Sequence, residues 1–150
     1  MAKDQKQVLI DTNLLIYFYI KKSPKYKIIK DLVVNLANES CLLAVAQQSL
    51  LEFYSVITSK KRVEKPVSFR MAQKEIANYY QNGFFKIISP IDSTFNIFLK
   101  IINRRRIKGG NIFDFYLAAT ALSNKIRIIY TENVKDFRDI EGLKIINPFK

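Results

Sequence analysis

An α/β fold with a mostly parallel central sheet flanked by helices is predicted from three observations. Short apolar runs of strand length alternate with helix-period segments from end to end of the chain. The connections between them are short. No repeat, linker or low-complexity stretch interrupts the alternation, so residues 1–150 are expected to form one domain.

The elements follow in order. Gln7–Ile10 reads as a short apolar strand that stops at Asp11. Thr12 or Asn13 is placed to cap a helix over Leu14–Ile20. Ser23–Pro24 restarts a helix, in which Ile28, Ile29, Leu32, Val33, Leu36 and Ala37 recur at helical spacing. Leu42–Ala46 is a second strand, and Gln47–Ser59 a helix closed by Lys60, Lys61 and Arg62. Ser68 caps a helix to about Gln81, which Asn82–Gly83 ends. Phe84–Ser89 is a third strand, stopped by Pro90. Asp92 or Ser93 opens a helix through Phe95, Phe98, Leu99 and Ile102. Gly109–Gly110 breaks the chain, and Asn111 is placed to cap a helix over Ile112–Asn124. Ile126–Tyr130 is a fourth strand, Glu132–Ile140 a turn or short helix, and Leu143–Ile146 a last strand.

Composition narrows the chemistry. The chain has no histidine, which excludes imidazole-based triads and zinc sites. Its single cysteine, Cys41, cannot form an intrachain disulfide and is expected to be a small buried hydrophobe. The apolar run at the N-terminus is broken by Asp11, so a secretory leader is not expected. The longest apolar segment, Leu14–Ile20, is too short to span a bilayer, and a cytoplasmic protein without membrane contact is expected. A net charge of +12 points to a polyanionic partner, because each neutralised phosphate releases a counterion.

Acids stand where ligands bind. In open parallel sheets that place is outside the carboxyl ends of the strands. Asp11 ends the first strand, and Thr131–Glu132–Asn133 follows the fourth. Asp114 sits in the first turn of a helix otherwise almost wholly apolar. Glu52 lies between Leu50–Leu51 and Phe53–Tyr54 and reads as an acid inside an apolar segment. Each has a plainer reading: a helix-terminal acid for Asp11 and Asp114, an ion-pair partner for Glu52. Their convergence on one sheet edge shifts the balance. Two carboxylates ~4 Å apart repel by roughly 4 kcal/mol at an effective dielectric near 20, so a cluster needs a cation. Oxygen ligands without His or Cys select Mg²⁺ or Mn²⁺. Such an ion in a basic domain suggests phosphodiester cleavage, with carboxylates orienting or deprotonating water.

Four segments carry a family resemblance: LIDTNLLIY at Leu9–Tyr17, SLLEFYSVIT at Ser49–Thr58, NIFDFYLAATAL at Asn111–Leu122 and IIYTENVKDF at Ile128–Phe137. EGLKIINPF at Glu141–Phe149 adds a closing strand. In order and spacing the chain resembles a PIN-domain nuclease, specifically the toxin of a toxin–antitoxin pair of the VapC kind. The resemblance implies a three-layer PIN fold and a metal-dependent endoribonuclease using Mg²⁺ or Mn²⁺. It implies Asp11, Glu52 and Asp114 as catalytic residues and metal ligands, with Thr12, Asn13 and Thr131 supporting them. The family usually has a fourth acid shortly after the Thr that ends the fourth strand. The favoured position here holds Asn133, a departure, and Glu132 and Asp136 stand nearby. The implied partners are RNA, a small cognate antitoxin and a second copy of the chain. Phe18, Tyr19, Phe53, Tyr54 and Val56 crowd the early helices and are expected to supply some of the dimer seam.

Two basic segments are candidates for RNA phosphates: Arg104, Arg105, Arg106 and Lys108 before the Asp114 helix, and Lys60, Lys61, Arg62 and Lys65 after the Glu52 helix. Solvated helix ends are the plainer reading of both. The alternative function is a PIN-fold nucleic-acid-binding module that is catalytically weak or inactive. That reading accommodates Asn133 but leaves three acids unpaired. Phosphotransfer with Asp11 as nucleophile commonly needs a second acid two residues on, where Asn13 stands.

Overall fold

In the computed structural model, which describes residues 4–150, five parallel strands form one sheet in the order β3-β2-β1-β4-β5. The strands are β1 (Gln7–Ile10), β2 (Leu42–Ala46), β3 (Lys86–Ile88), β4 (Ile128–Tyr130) and β5 (Lys144–Ile146). The helices are α1 (Thr12–Tyr19), α2 (Tyr26–Asn38), α3 (Gln47–Ile57), α4 (Phe69–Gln81), α5 (Thr94–Ile102) and α6 (Asn111–Ser123), with a short 3-10 helix at Val134–Phe137.

The apolar strands are continuous because both faces of the sheet are covered. On β1, Val8 and Ile10 point into one core and Leu9 into the other. On β2, Leu43 and Val45 face the first core, and Ala44 and Ala46 the second. Leu14, Ile29, Phe53 and Ala72 bring α1 to α4 onto the first face. Phe98, Leu117 and Ala118 bring α5 and α6 onto the second. The small Ala44 and Ala46 meet the alanines of α6 in that second core, which lets the helix approach the sheet.

Several boundaries differ from the sequence reading. Asp11, and neither Thr12 nor Asn13, caps α1: its side chain accepts from the Thr12 N–H. The strand ends at Ile10 and the helix starts at Thr12, so Asp11, the one residue between them, is the cap. Asn111 lies inside α6, whose N-cap is Gly110 without a side-chain bond. β3 and β4 are shorter than their apolar runs, because Phe85 and Ile126 are buried beyond the ladder. Phe53 and Val56 belong to the core, not to a surface seam. Tyr19 packs edge-on against Phe53, and Phe18 stacks on Tyr26. Other expectations hold. Ser68 accepts from the Met71 N–H at the start of α4, Gly83 takes φ +79° just beyond that helix, and Cys41 is buried. Among the described residues, no helix is long and apolar enough to cross a membrane.

The sheet order places a topological switch between β1 and β4. The chain builds outward from β1 through β2 to β3, then returns to the other side of β1. The crevice at the carboxyl ends of β1 and β4 is therefore where a ligand is expected, and Asp11 and Thr131 stand there.

Candidate active site

Asp11 is held by both neighbours of that crevice. Its N–H still belongs to the sheet, donating to the Tyr130 carbonyl at 3.1 Å. One carboxylate oxygen accepts from the Thr12 N–H at 2.7 Å, and the other from the Thr131 hydroxyl at 2.8 Å. The side chain is buried, and that burial raises its pKa. The bonds from Thr131 and Thr12 oppose the rise, while the charges of Glu52 and Asp136 add to it.

Thr131 is itself directed. Its oxygen accepts from the Asn13 side-chain amide at 3.2 Å and from the Asn133 N–H at 3.0 Å, leaving its proton for Asp11. The Asn13 carbonyl accepts from the Glu132 N–H at 3.4 Å. Thr12 donates through its hydroxyl to Glu52 at 2.9 Å. The three consecutive residues of α1's entry thus serve three purposes: a carboxylate, a bond to the neighbouring acid, and a clamp on the loop after β4.

Glu52 is exposed, contrary to its reading as an acid within an apolar helix. On α3 the core takes Leu50, Phe53, Val56 and Ile57, while Leu51 is 68% exposed and shares the crevice face with Glu52. Gln48, one turn earlier, donates to Glu52 at 3.4 Å and to the Phe113 carbonyl at 3.0 Å. It ties α3 to the first turn of α6, where Asp114 is half-buried. Among the described residues no hydrogen bond reaches the Asp114 carboxylate. Burial, followed by the charges of Asp11, Asp136 and Glu52, pushes its pKa up to about 7.

Asp11, Glu52, Asp114 and Asn133 line one cavity of about 420 Å³, and Arg62 stands on its wall. The three positions considered for a fourth acidic ligand part company here. Glu132 turns away, bonded to Lys25 and to the Tyr17 hydroxyl, and is paired before any ion is considered. Asn133 lines the cavity as a neutral oxygen donor. Asp136, on the 3-10 helix, adds its charge to both Asp11 and Asp114.

The fit to a divalent cation rests on this donor set. The groups around the cavity are oxygen donors from Asp, Glu and Asn, the chemistry of Mg²⁺ and Mn²⁺ sites. Among the described residues the ion pairs are Lys25–Glu132 and Lys27–Asp31, so no basic side chain neutralises Asp11, Glu52, Asp114 or Asp136. The acids share a cavity without closing on a common point: among the described residues, no three acidic, His or Cys side chains are drawn together as metal ligands. Mutual repulsion of like charges favours that spacing.

The basic segment before α6 has another role in part. Arg105 donates to the backbone carbonyls of Arg138, at 3.1 Å, and Asp139, at 2.6 Å, and lies over the Phe115 ring. It braces α5 against the chain after the 3-10 helix. Arg104, Arg106 and Lys108 are exposed, and Arg104 lines a separate cavity with Asp139 and Glu141. The contributions of Arg62, Gln48 and the Lys25–Tyr17 pair were not assigned to the acids from sequence. Gln48, four residues before Glu52 on one helix, carried a usable signal; the others are joined only by the fold.

A family model for the PIN domain matches residues 8–143. No curated protein sequence matches the chain. Solved structures resemble it over nearly its full length. VapBC2 from Rickettsia felis, bound to a DNA fragment of its promoter, is 19% identical with a TM-score of 0.68, covering 94% of this chain and 98% of that one. VapBC-1 from nontypeable Haemophilus influenzae is 18% identical with a TM-score of 0.69, covering 96% and 99%. VapC20 from Mycobacterium tuberculosis, described as a sarcin-ricin loop cleaving toxin, is 10% identical with a TM-score of 0.62, covering 87% and 92%.

Proposed function

The chain belongs to the PIN-domain family, and from that premise we propose that it is a metal-dependent endoribonuclease, the toxin of a toxin–antitoxin pair acting in the cytoplasm. The observation that carries this reading is the shared cavity of Asp11, Glu52 and Asp114, to which Asp136 adds its charge from nearby, with no basic side chain paired to them among the described residues.

Asp11, Glu52 and Asp114 would hold Mg²⁺ or Mn²⁺, with Asp136 the acid that replaces the expected charge at Asn133. When bound, the ion supplies charge stabilisation at the phosphoryl group and acidifies water for attack. The chain's own residues supply orientation. Thr131 and the Thr12 N–H fix both oxygens of Asp11, and Thr12 steers Glu52 through its hydroxyl. Asn13 holds the loop that presents Thr131. Two of the structural neighbours are VapBC complexes, which supports a small antitoxin as partner here. Leu51 and Phe113, exposed beside the acids, offer it apolar contact. A homodimer seam would not include the buried Phe53 and Val56. Phe95 and Leu99 lie four residues apart on α5 and are 57% and 47% exposed.

The test is incubation of purified protein with transfer, ribosomal and messenger RNA, with Mg²⁺ or Mn²⁺ and with EDTA. Discrete cuts that require the metal are expected. RNA bound but left intact under all metal conditions would favour the non-catalytic binding module instead.

A further inference from the structure

Two cavities meet at Arg62. One is the acid cavity. The other, about 730 Å³, continues from Arg62 between the end of α1 and the segment after α3. Its rim carries Lys21, Lys22 and Lys65, with Glu64 as an acid among them. Its floor is apolar, built partly by Tyr19, Ile20 and Val63. The cations are exposed, and none of them is in an ion pair among the described residues.

A basic groove that adjoins an acidic cavity at Arg62 is suited to one kind of ligand. The polyanion must be long enough to leave a phosphate at the acids and set further phosphates on the cations. Lysines bind phosphates as point charges with adaptable geometry, which suits a flexible backbone. An apolar floor beneath them suits unstacked base faces, which a duplex keeps inside. The volume falls within the roughly 300–1,000 Å³ of pockets that enclose a drug-sized ligand, so it takes a short run of nucleotides. Resting on the nuclease reading, we propose that this groove is the substrate track on one side of the cut. A single-stranded RNA segment sets its phosphates on Arg62, Lys21, Lys22 and Lys65 and its bases against the floor. The track lies on α1 and the chain after α3, away from Arg104, Arg106 and Lys108.

Fluorescence anisotropy with an end-labelled single-stranded RNA oligonucleotide tests this in metal-free buffer, where cleavage does not enter. Wild type is compared with Lys21→Gln/Lys22→Gln/Lys65→Gln and with the charge-matched control Arg104→Gln/Arg106→Gln/Lys108→Gln across a salt series. The groove variant is expected to bind at least tenfold more weakly. Its slope of log affinity against log salt should be shallower by about 2, since each lost phosphate contact removes roughly 0.7. The control should change much less, and a duplex of equal length should bind wild type more weakly than the single strand. Arg62→Gln alone provides a second reading and should weaken binding in the same direction. A groove variant that binds like wild type overturns the track, as does an equal loss in both triple variants. RNA affinity kept while antitoxin affinity is lost would also overturn it, giving the groove to a protein. Groove-dependent binding by a protein that never cuts RNA keeps the groove as a single-stranded RNA site while sinking the nuclease reading.

Discussion

Glu132 and Asp114 are two acids beside one crevice with opposite electrostatic surroundings. Burial pushes the Glu132 carboxyl up, but hydrogen bonds and charge from Lys25, together with the Tyr17 hydroxyl, outweigh it and hold the pKa below 4.5. Lys25 also lies 4.6 Å from the Tyr17 ring centroid and 4.8 Å from that of Phe149, so the ion pair sits in an aromatic cradle. Asp114 meets burial and three further carboxylates, and its pKa rises to about 7. The protein thus has the means to neutralise an acid on this edge and applies them to Glu132 alone. Glu132 serves the fold by pinning the loop after β4. Asp114 is surrounded by burial and like charge, with no basic partner among the described residues.

The largest contrast is expected in cells. Expression of the wild type should arrest growth, and Asp11→Asn or Asp114→Asn should relieve the arrest, because Asn keeps the shape and removes the charge. General acid–base contributions are worth about 10²- to 10⁴-fold in rate. Glu132→Gln should remain toxic. Growth curves and soluble protein levels measured together decide; a soluble, fully toxic Asp114→Asn would reduce that acid to a structural residue.

A smaller contrast is expected in metal-free stability at neutral pH. Asp114→Asn removes a charge that folding desolvates among like charges, so its melting temperature should exceed wild type by several degrees; about 1 kcal/mol shifts a chain of this size by roughly 4 °C. Lys25→Met should lower it, because it leaves the half-buried Glu132 without its cation. Thermal denaturation in EDTA reads both, and equal shifts of the same sign would erase the distinction between the two acids.

The pH dependence sharpens the comparison further. Asp114 ionises near 3.8 in the unfolded chain and near 7 in the fold, so between those values the folded state holds the extra proton. Metal-free stability from this group should grow as pH falls from about 7 and shrink as pH rises through it. Glu132, lowered from 4.5, contributes stability above that value that is lost as pH falls below it. Metal-free melting temperature should therefore peak in the mildly acidic range. Asp114→Asn should flatten the neutral limb and Glu132→Gln the acidic one; a profile unaffected by either substitution would detach both groups from stability.

Much of this was legible in the sequence because it depends on local pattern. Asp11 interrupts an apolar run at a strand end, and Asp114 opens an apolar helix, so both stand out without a structure. The parallel sheet follows from strands that are apolar on both faces. What escaped depends on the third dimension. Leu51 is apolar yet faces outward, so Glu52 read as buried when it is exposed. Glu132 was a candidate ligand because its partner Lys25 lies 107 residues away in the chain. Arg105 belonged to a charge run, and only the fold shows its guanidinium bound to carbonyls 33 and 34 residues on. Phe53 and Val56 read as surface aromatics and aliphatics because α3 has more apolar residues than its core face needs.

The claim that the acids of the crevice await a divalent cation is tested most directly by calorimetric titration of Mn²⁺ into wild type, Asp114→Asn and Glu132→Gln. The wild type and Glu132→Gln should bind with similar affinity, and Asp114→Asn at least tenfold more weakly, a loss of about 1.4 kcal/mol or more. Undiminished binding by a folded Asp114→Asn, or no binding by the wild type at millimolar Mn²⁺, would contradict the account.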